Sequence, residues 1–193
     1  MKLVSPQEFL PWALTRDIAP DPRYKAPQCL VYVPYRAYCR FWNQPTNGGA
    51  IPYFLGHVLA GLDPWSACYA WPRGGRWPEP RETDYWAARV RTSILLGADI
   101  PPGFPGAVRY EAGEAGSLVT VATAQTLFGS NAADDLFIVL DHGEQFLWID
   151  HHDVVHVEFA EEGRVAPFVR HMASKGFELP VTVPVGRSNS RSG

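Results

Sequence analysis

The side chains best suited to chemistry in this chain are crowded into one short stretch. Four of the six histidines, His142, His151, His152 and His156, fall there, with Asp141, Asp150, Asp153 and Glu158 among them. Imidazole and carboxylate are the ligands that zinc and related metals use. The spacing fits no standard zinc pattern, HExxH included. His151, His152 and Asp153 are the residues from which a metal-dependent enzyme could be built, given help from another segment. The plainer reading is a polar hairpin turn, in which Asp bonds locally to the backbone. His57 reads as a satisfied core or boundary residue of an apolar helix.

A second stretch, Trp71 to Arg91, interleaves Trp71, Arg73, Arg76, Trp77, Arg81, Tyr85, Trp86, Arg89 and Arg91. Aromatic stacking with arginine contacts can hold a nucleotide or single-stranded RNA. Five arginines against Glu79, Glu82 and Asp84 leave a local charge of only +2, and a Trp-Pro loop pinned onto the core accounts for the same residues. Cys29, Cys39 and Cys68 are odd in number and form no CxxC pair. They read as buried free thiols in a reducing compartment. The sequence contains no GxSxG, Walker or strand-linked GxGxxG motif.

These groups must be positioned by ordered elements. The runs Leu136–Leu140, Gln145–Ile149 and Val154–Phe159, separated by short polar turns, predict an antiparallel meander. With residues 142 and 143 as the first loop, Phe137 and Val139 share a face with Phe146 and Trp148. With residues 151 and 152 as the second, Trp148 pairs with Val155 and Phe146 with Val157. The first run is apolar on both faces, so a further strand is expected beyond it, at Val108–Ala112 or Leu118–Ala122. His142 and His151 then sit at opposite ends of one strand, roughly 20 Å apart, and cannot share one metal.

A helix over 164–175 is expected to cover the Phe146, Trp148, Val155 and Val157 face. Its own apolar stripe is Val165, Phe168, Val169, Met172 and Ala173. Upstream, Ser5-Pro6 with Glu8 marks a helix start. Ile51–Leu62 and Glu82–Gly97 read as helices, the latter with Trp86, Val90 and Ile94 as its periodic apolar stripe. Asn47-Gly48-Gly49 marks a turn, and Cys29–Trp42 holds one or two strands broken at Pro34.

The expected fold is α+β: an antiparallel sheet of four or more strands, with the meander at about 135–159 and the helix at about 164–175. An irregular, Pro/Trp-rich helical portion occupies about 1–106 and the sheet-plus-helix portion about 107–180. Together they form a single domain over 1–185, with a flexible tail at 186–193. The 193 residues carry a net charge of −3 and 25 aromatic side chains, 7 Trp, 8 Tyr and 10 Phe. Those values argue against disorder and against a broad basic nucleic-acid footprint. No membrane-spanning run and no signal peptide are apparent, which leads to the expectation of a cytoplasmic protein.

The compact α+β plan with a loop-rich aromatic surface resembles small bacterial immunity proteins that neutralise a cognate toxin. No motif carries the resemblance. It implies a non-catalytic, cofactor-free module whose partner is another protein. The surface offered to that partner would be the acidic hairpin tip, Asp150, His151, His152, Asp153 and Glu158, or the Trp/Arg loop with Arg73, Arg76 and Trp77.

Overall fold

The computed structural model describes residues 1–23, 25, 29–32, 37–42, 51–80, 85–129, 132–151, 154–177 and 183–184. The expected turn at Asn47-Gly48-Gly49, the break at Pro34 and the 186–193 tail lie outside the described residues. The chain opens with β1 (Lys2–Val4) and α1 (Pro6–Leu14). A capping box starts α1: the Glu8 amide donates to Ser5 Oγ at 3.4 Å, and the Glu8 carboxylate accepts the Ser5 amide at 3.2 Å. Then follow β2 (Ile18–Pro20), β3 (Leu30–Tyr32), β4 (Ala37–Trp42), α2 (Ile51–Gly61) and β5 (Ala67–Pro72). The rest comprises α3 (Trp86–Gly97), β6 (Ala107–Glu111), α4 (Ala115–Phe128), β7 (Leu136–Leu140), β8 (Gln145–Ile149), β9 (Val154–Phe159), α5 (Val165–Ser174) and β10 (Val183–Pro184).

Among the described residues, eight strands form one antiparallel sheet in the order β1-β6-β5-β7-β8-β9-β4-β10, and β2 pairs with β3 separately. The fold is α+β, and β7–β8–β9 is the expected meander. The Pro/Trp-rich portion supplies β1, β4 and β5 to this sheet as well as α1, α2 and α3. Side chains alternate across the pleat, so β5, β6, β7 and β8 each feed two cores. One holds Leu136, Ile138, Leu140, Leu147, Ile149, Val155, Val157 and Phe159 with residues of α2, α4 and α5. The other holds Phe137, Val139, Phe146 and Trp71 under Phe9 and Ala13 of α1 and Ile18 and Leu30 of the small sheet.

Two expectations about strand partners are corrected. The neighbour of β7 is β5, with Trp71 opposite Phe137, and β6 lies beyond it. Leu118–Ala122 is part of α4, because Leu118, Val121, Ala122 and Gln125 recur at helical spacing and are buried together. The β8–β9 register also differs by one residue. Trp148 pairs with His156 and Leu147 with Val157, because Asp150 stands opposite Val154, which leaves three residues between the paired positions rather than two. Asp150 closes the connection: its amide donates to the Val154 carbonyl at 2.9 Å, and its Oδ1 accepts the Val154 amide at 3.1 Å. A one-residue slip turns every side chain of a strand to the opposite face. Val155 and Val157 therefore join Leu147 and Ile149, and the Phe168 ring of α5 meets Phe159 at 5.5 Å on that side. The Phe146 face is packed by α1 instead.

α3 also faces the opposite way from its apolar stripe. Its buried residues are Ala87, Ala88, Arg91, Thr92 and Leu95. The small alanines allow close approach to α4, and Arg91 is ion-paired with Asp134 at 3.1 Å. Trp86 and Val90 point outward.

Candidate functional site

The strand ends of β5, β7 and β8 converge on one carboxylate. Asp135, fully buried just before β7, accepts four hydrogen bonds. Oδ1 takes the His151 amide at 2.9 Å and His151 Nδ1 at 2.8 Å. Oδ2 takes the Arg73 guanidinium and the Trp148 indole N–H, each at 3.0 Å. A carboxylate oxygen accepts, so in this bond His151 donates from Nδ1. Four donors on two oxygens offset the desolvation of a buried charge.

Arg73 extends the network. It follows β5, its amide donates to the Asp135 carbonyl at 2.7 Å, and its guanidinium lies 4.9 Å from the centre of the Trp148 ring. Its Nε also reaches Asp21 Oδ2 at 3.3 Å. Burial pushes the Asp21 carboxyl up, but hydrogen bonds from the Arg23 side chain and amide outweigh this, and the net shift is downward. The His156 ring also stacks on the Trp148 indole at 4.4 Å, and its Nε2 meets Asp150 Oδ2 at 3.1 Å. Glu158, two residues on along the same face of β9, is buried, and its Oε2 has no hydrogen-bond partner among the described residues. Burial pushes its carboxyl up to about 8.

The structure thus joins Arg73 to the histidine turn, two features that are separate in sequence. It brings together Arg73, His151, His156 and Asp150, with Glu158 adjacent, and buries most of them. His152 and Asp153 lie outside the described residues. Arg76 is exposed and donates to the Gly103 carbonyl at 3.4 Å, whereas Trp77 is a core residue whose indole donates to the Gly106 carbonyl at 3.0 Å. Among the described residues, no group of three or more His, Cys, Asp or Glu is placed to hold a metal ion. His142, at the other end of β8, accepts the Glu144 amide on Nδ1 at 3.1 Å. Burial pushes the Cys39 and Cys68 thiols up to about 12, which leaves both unreactive at neutral pH. Asp135, the hub, was missed because Asp134-Asp135 reads as an ordinary loop before a strand. Its signal is position: it immediately precedes an all-buried strand, where a charge must find donors.

The outer surface of α3 forms a second feature. Trp86 is 72% exposed and Leu127 of α4 51%, with Tyr85, Val90 and Leu96 also exposed. The Trp86 ring rests edge-on against Phe128 at 6.2 Å. Sequence periodicity marks Trp86, Val90 and Ile94 as the apolar stripe of this helix, and the fold turns Trp86 and Val90 outward. The signal for its true direction is that the remaining faces of α3 carry the alanines needed for close packing. No protein-family model matches the chain, and neither a curated protein nor a solved structure does.

Proposed function

We propose that the chain is a protein-binding module that acts without catalysis, in the manner of an immunity or inhibitor protein that covers a partner toxin or enzyme. The contact surface is the outer face of α3 with the end of α4. The observation that carries this reading is the exposure of Trp86 beside Tyr85, Val90 and Leu127. Large apolar side chains gathered on a surface mark interaction sites, and Trp and Tyr are the residues that most often anchor them. The polar residues of the histidine turn support the same reading, because their hydrogen bonds tie strand ends together.

A photo-crosslinking residue at position 90, introduced in the native source, tests it. A single adduct with a different protein is expected from position 90 and none from position 144, and Trp86→Asp should abolish it. Equal adducts from both positions, or none carrying a foreign protein, would reject the reading. The Asp135–His151 pair supports a second reading, a metal-dependent enzyme at His151, His152 and Asp153. A carboxylate on Nδ1 is the arrangement that presents Nε2 to a metal. Calorimetric titration with zinc would show saturable binding lost in His151→Ala if it holds. The nucleotide reading has less support, since Trp71 and Trp77 are core residues.

A further inference from the structure

A cavity of about 550 Å³ opens between α2 and α4, within the size range of small-molecule sites. Leu59 of α2 and Val119 of α4 give it apolar walls, and Trp65 adds a flat aromatic one. Gly56 and Gly116 line it as well, one from each helix, and a Cβ on either would meet nothing within 4 Å. Asp63 and Trp65 belong to the connection between α2 and β5, and that connection is held at both ends. The Asp63 amide donates at 2.9 Å to Oε1 of Gln145, a buried residue at the start of β8. The Ser66 carbonyl accepts the Ala112 amide at 2.9 Å, and the Ser66 hydroxyl donates to the Asp141 carboxylate. Both cavity residues are thereby fixed before a ligand arrives, which lowers the ordering cost of binding.

Neither α2 nor α4 contains Asp, Glu, Lys or Arg. Among the described residues that line the cavity, Asp63 alone is charged. Its Oδ1 accepts from Arg164 Nη1 at 3.2 Å, in an ion pair open to solvent. Its Oδ2 is buried and has no hydrogen-bond partner among the described residues. A buried carboxylate oxygen without a donor is under-satisfied.

We infer that this cavity binds a small cationic amine with a flat apolar body. The ammonium group supplies the charge and the donors that the Asp63 carboxylate lacks. The apolar body lies against Trp65 and the aliphatic walls. Charge selects the class, because a neutral molecule would cover Asp63 without pairing it, and an anion would set a second negative charge beside it. The cavity adjoins the start of α4, whereas Leu127 lies near its end. The site is therefore separate from the α3 surface, and each reading stands or falls alone.

Dansylcadaverine, a naphthalene with a primary amine on a flexible arm, is a suitable probe. Dansylamide and dansylglycine are its neutral and anionic counterparts. Titrated into the purified full chain, the amine should show a blue-shifted, brighter dansyl emission that saturates at a single site. Dansylamide should bind at least about tenfold more weakly, equivalent to about 1.4 kcal/mol, and dansylglycine more weakly still. Gly56→Leu and Gly116→Leu should each abolish binding by filling the cavity, with circular dichroism confirming the fold. If one of them fails to fold, the other reads the same space. Asp63→Asn should bring the amine down to the affinity of dansylamide. Arg164→Ala should tighten it, because the competing cation is gone. No saturable binding of the amine, or binding that survives both leucine variants, overturns the site. Equal affinity for the three probes, or an Asp63→Asn variant that still prefers the amine, overturns the ligand class.

Discussion

Asp135 shows how much one side chain can organise. Its two oxygens bind a residue after β5, a residue of β8 and the turn after β8. Asp135→Asn keeps the shape but removes one of the two charges that balance Arg73, and its amide cannot accept at both ends. A loss of about 1–3 kcal/mol is expected, since buried donors lose their acceptor while Arg73 keeps Asp21. The urea midpoint checks this, and a loss below about 1 kcal/mol would mean that the network contributes little. Glu158 acts in the opposite direction. Its carboxyl ionises near the ordinary value of 4.5 in the unfolded chain and at about 8 in the fold. Between those values the unfolded chain has released a proton that the folded one keeps, so stability falls as pH rises through that window. Glu158→Gln lacks this dependence. Relative to the parent, it should gain stability from pH 4.5 to 8 and hold a constant advantage above. Urea titrations at pH 5, 7 and 9 measure the difference, and parallel pH curves would contradict the assignment.

At the level of elements, the cap of α1, the three runs of the meander, α2 and α5 were all legible in the sequence, since each rests on local patterning. The β8–β9 register was not. It depends on whether Asp150 ends the strand or opens the turn, which hydrophobic alternation cannot decide, because β8 is apolar on both faces, Phe146 and Trp148 on one and Leu147 and Ile149 on the other. Asp150→Ala should cost about 1–3 kcal/mol through its two lost bonds and accelerate exchange of the Val154 amide. An unchanged Val154 exchange rate would show that the backbone bond alone holds the connection. The direction of α3 escaped for a related reason. Periodicity identifies a stripe, and only the packing against α4 determines which side faces inward. β5 went unmarked because Ala67, Cys68, Ala70 and Pro72 are poor strand formers, and its place between β6 and β7 comes from pairing at long range. The face carrying Phe168 is corrected as well, but its burial leaves the mutational expectation intact. Phe168→Ala should cost about 3–5 kcal/mol by thermal or urea unfolding, and a loss below about 1 kcal/mol would mean that the site collapses around the gap.

Taken whole, the molecule is a sheet with a core on each face, which is why β7 is buried along its entire length. Its amides should exchange only through global unfolding, those of β5 and β8 nearly as slowly, and those of β1 at the edge much faster. Native-state hydrogen exchange measures this ordering, and rapid exchange in β7 would refute the two-sided core. The strand order has a consequence for biosynthesis. β4 pairs with β9, Trp42 opposite Val154 and Ala37 opposite Phe159. β5 likewise lies between β6 and β7, both made much later in the chain. A ribosome adding roughly 5–20 residues per second leaves β4 without β9 for on the order of ten seconds. During that interval the nascent chain displays strands with open edges and buried-type side chains, the state that invites aggregation. Pairing of β4 is therefore a late event, begun only when residue 159 has cleared the exit tunnel and completed by β10, and until then the nascent chain is a natural client for chaperones that shield unpaired strands.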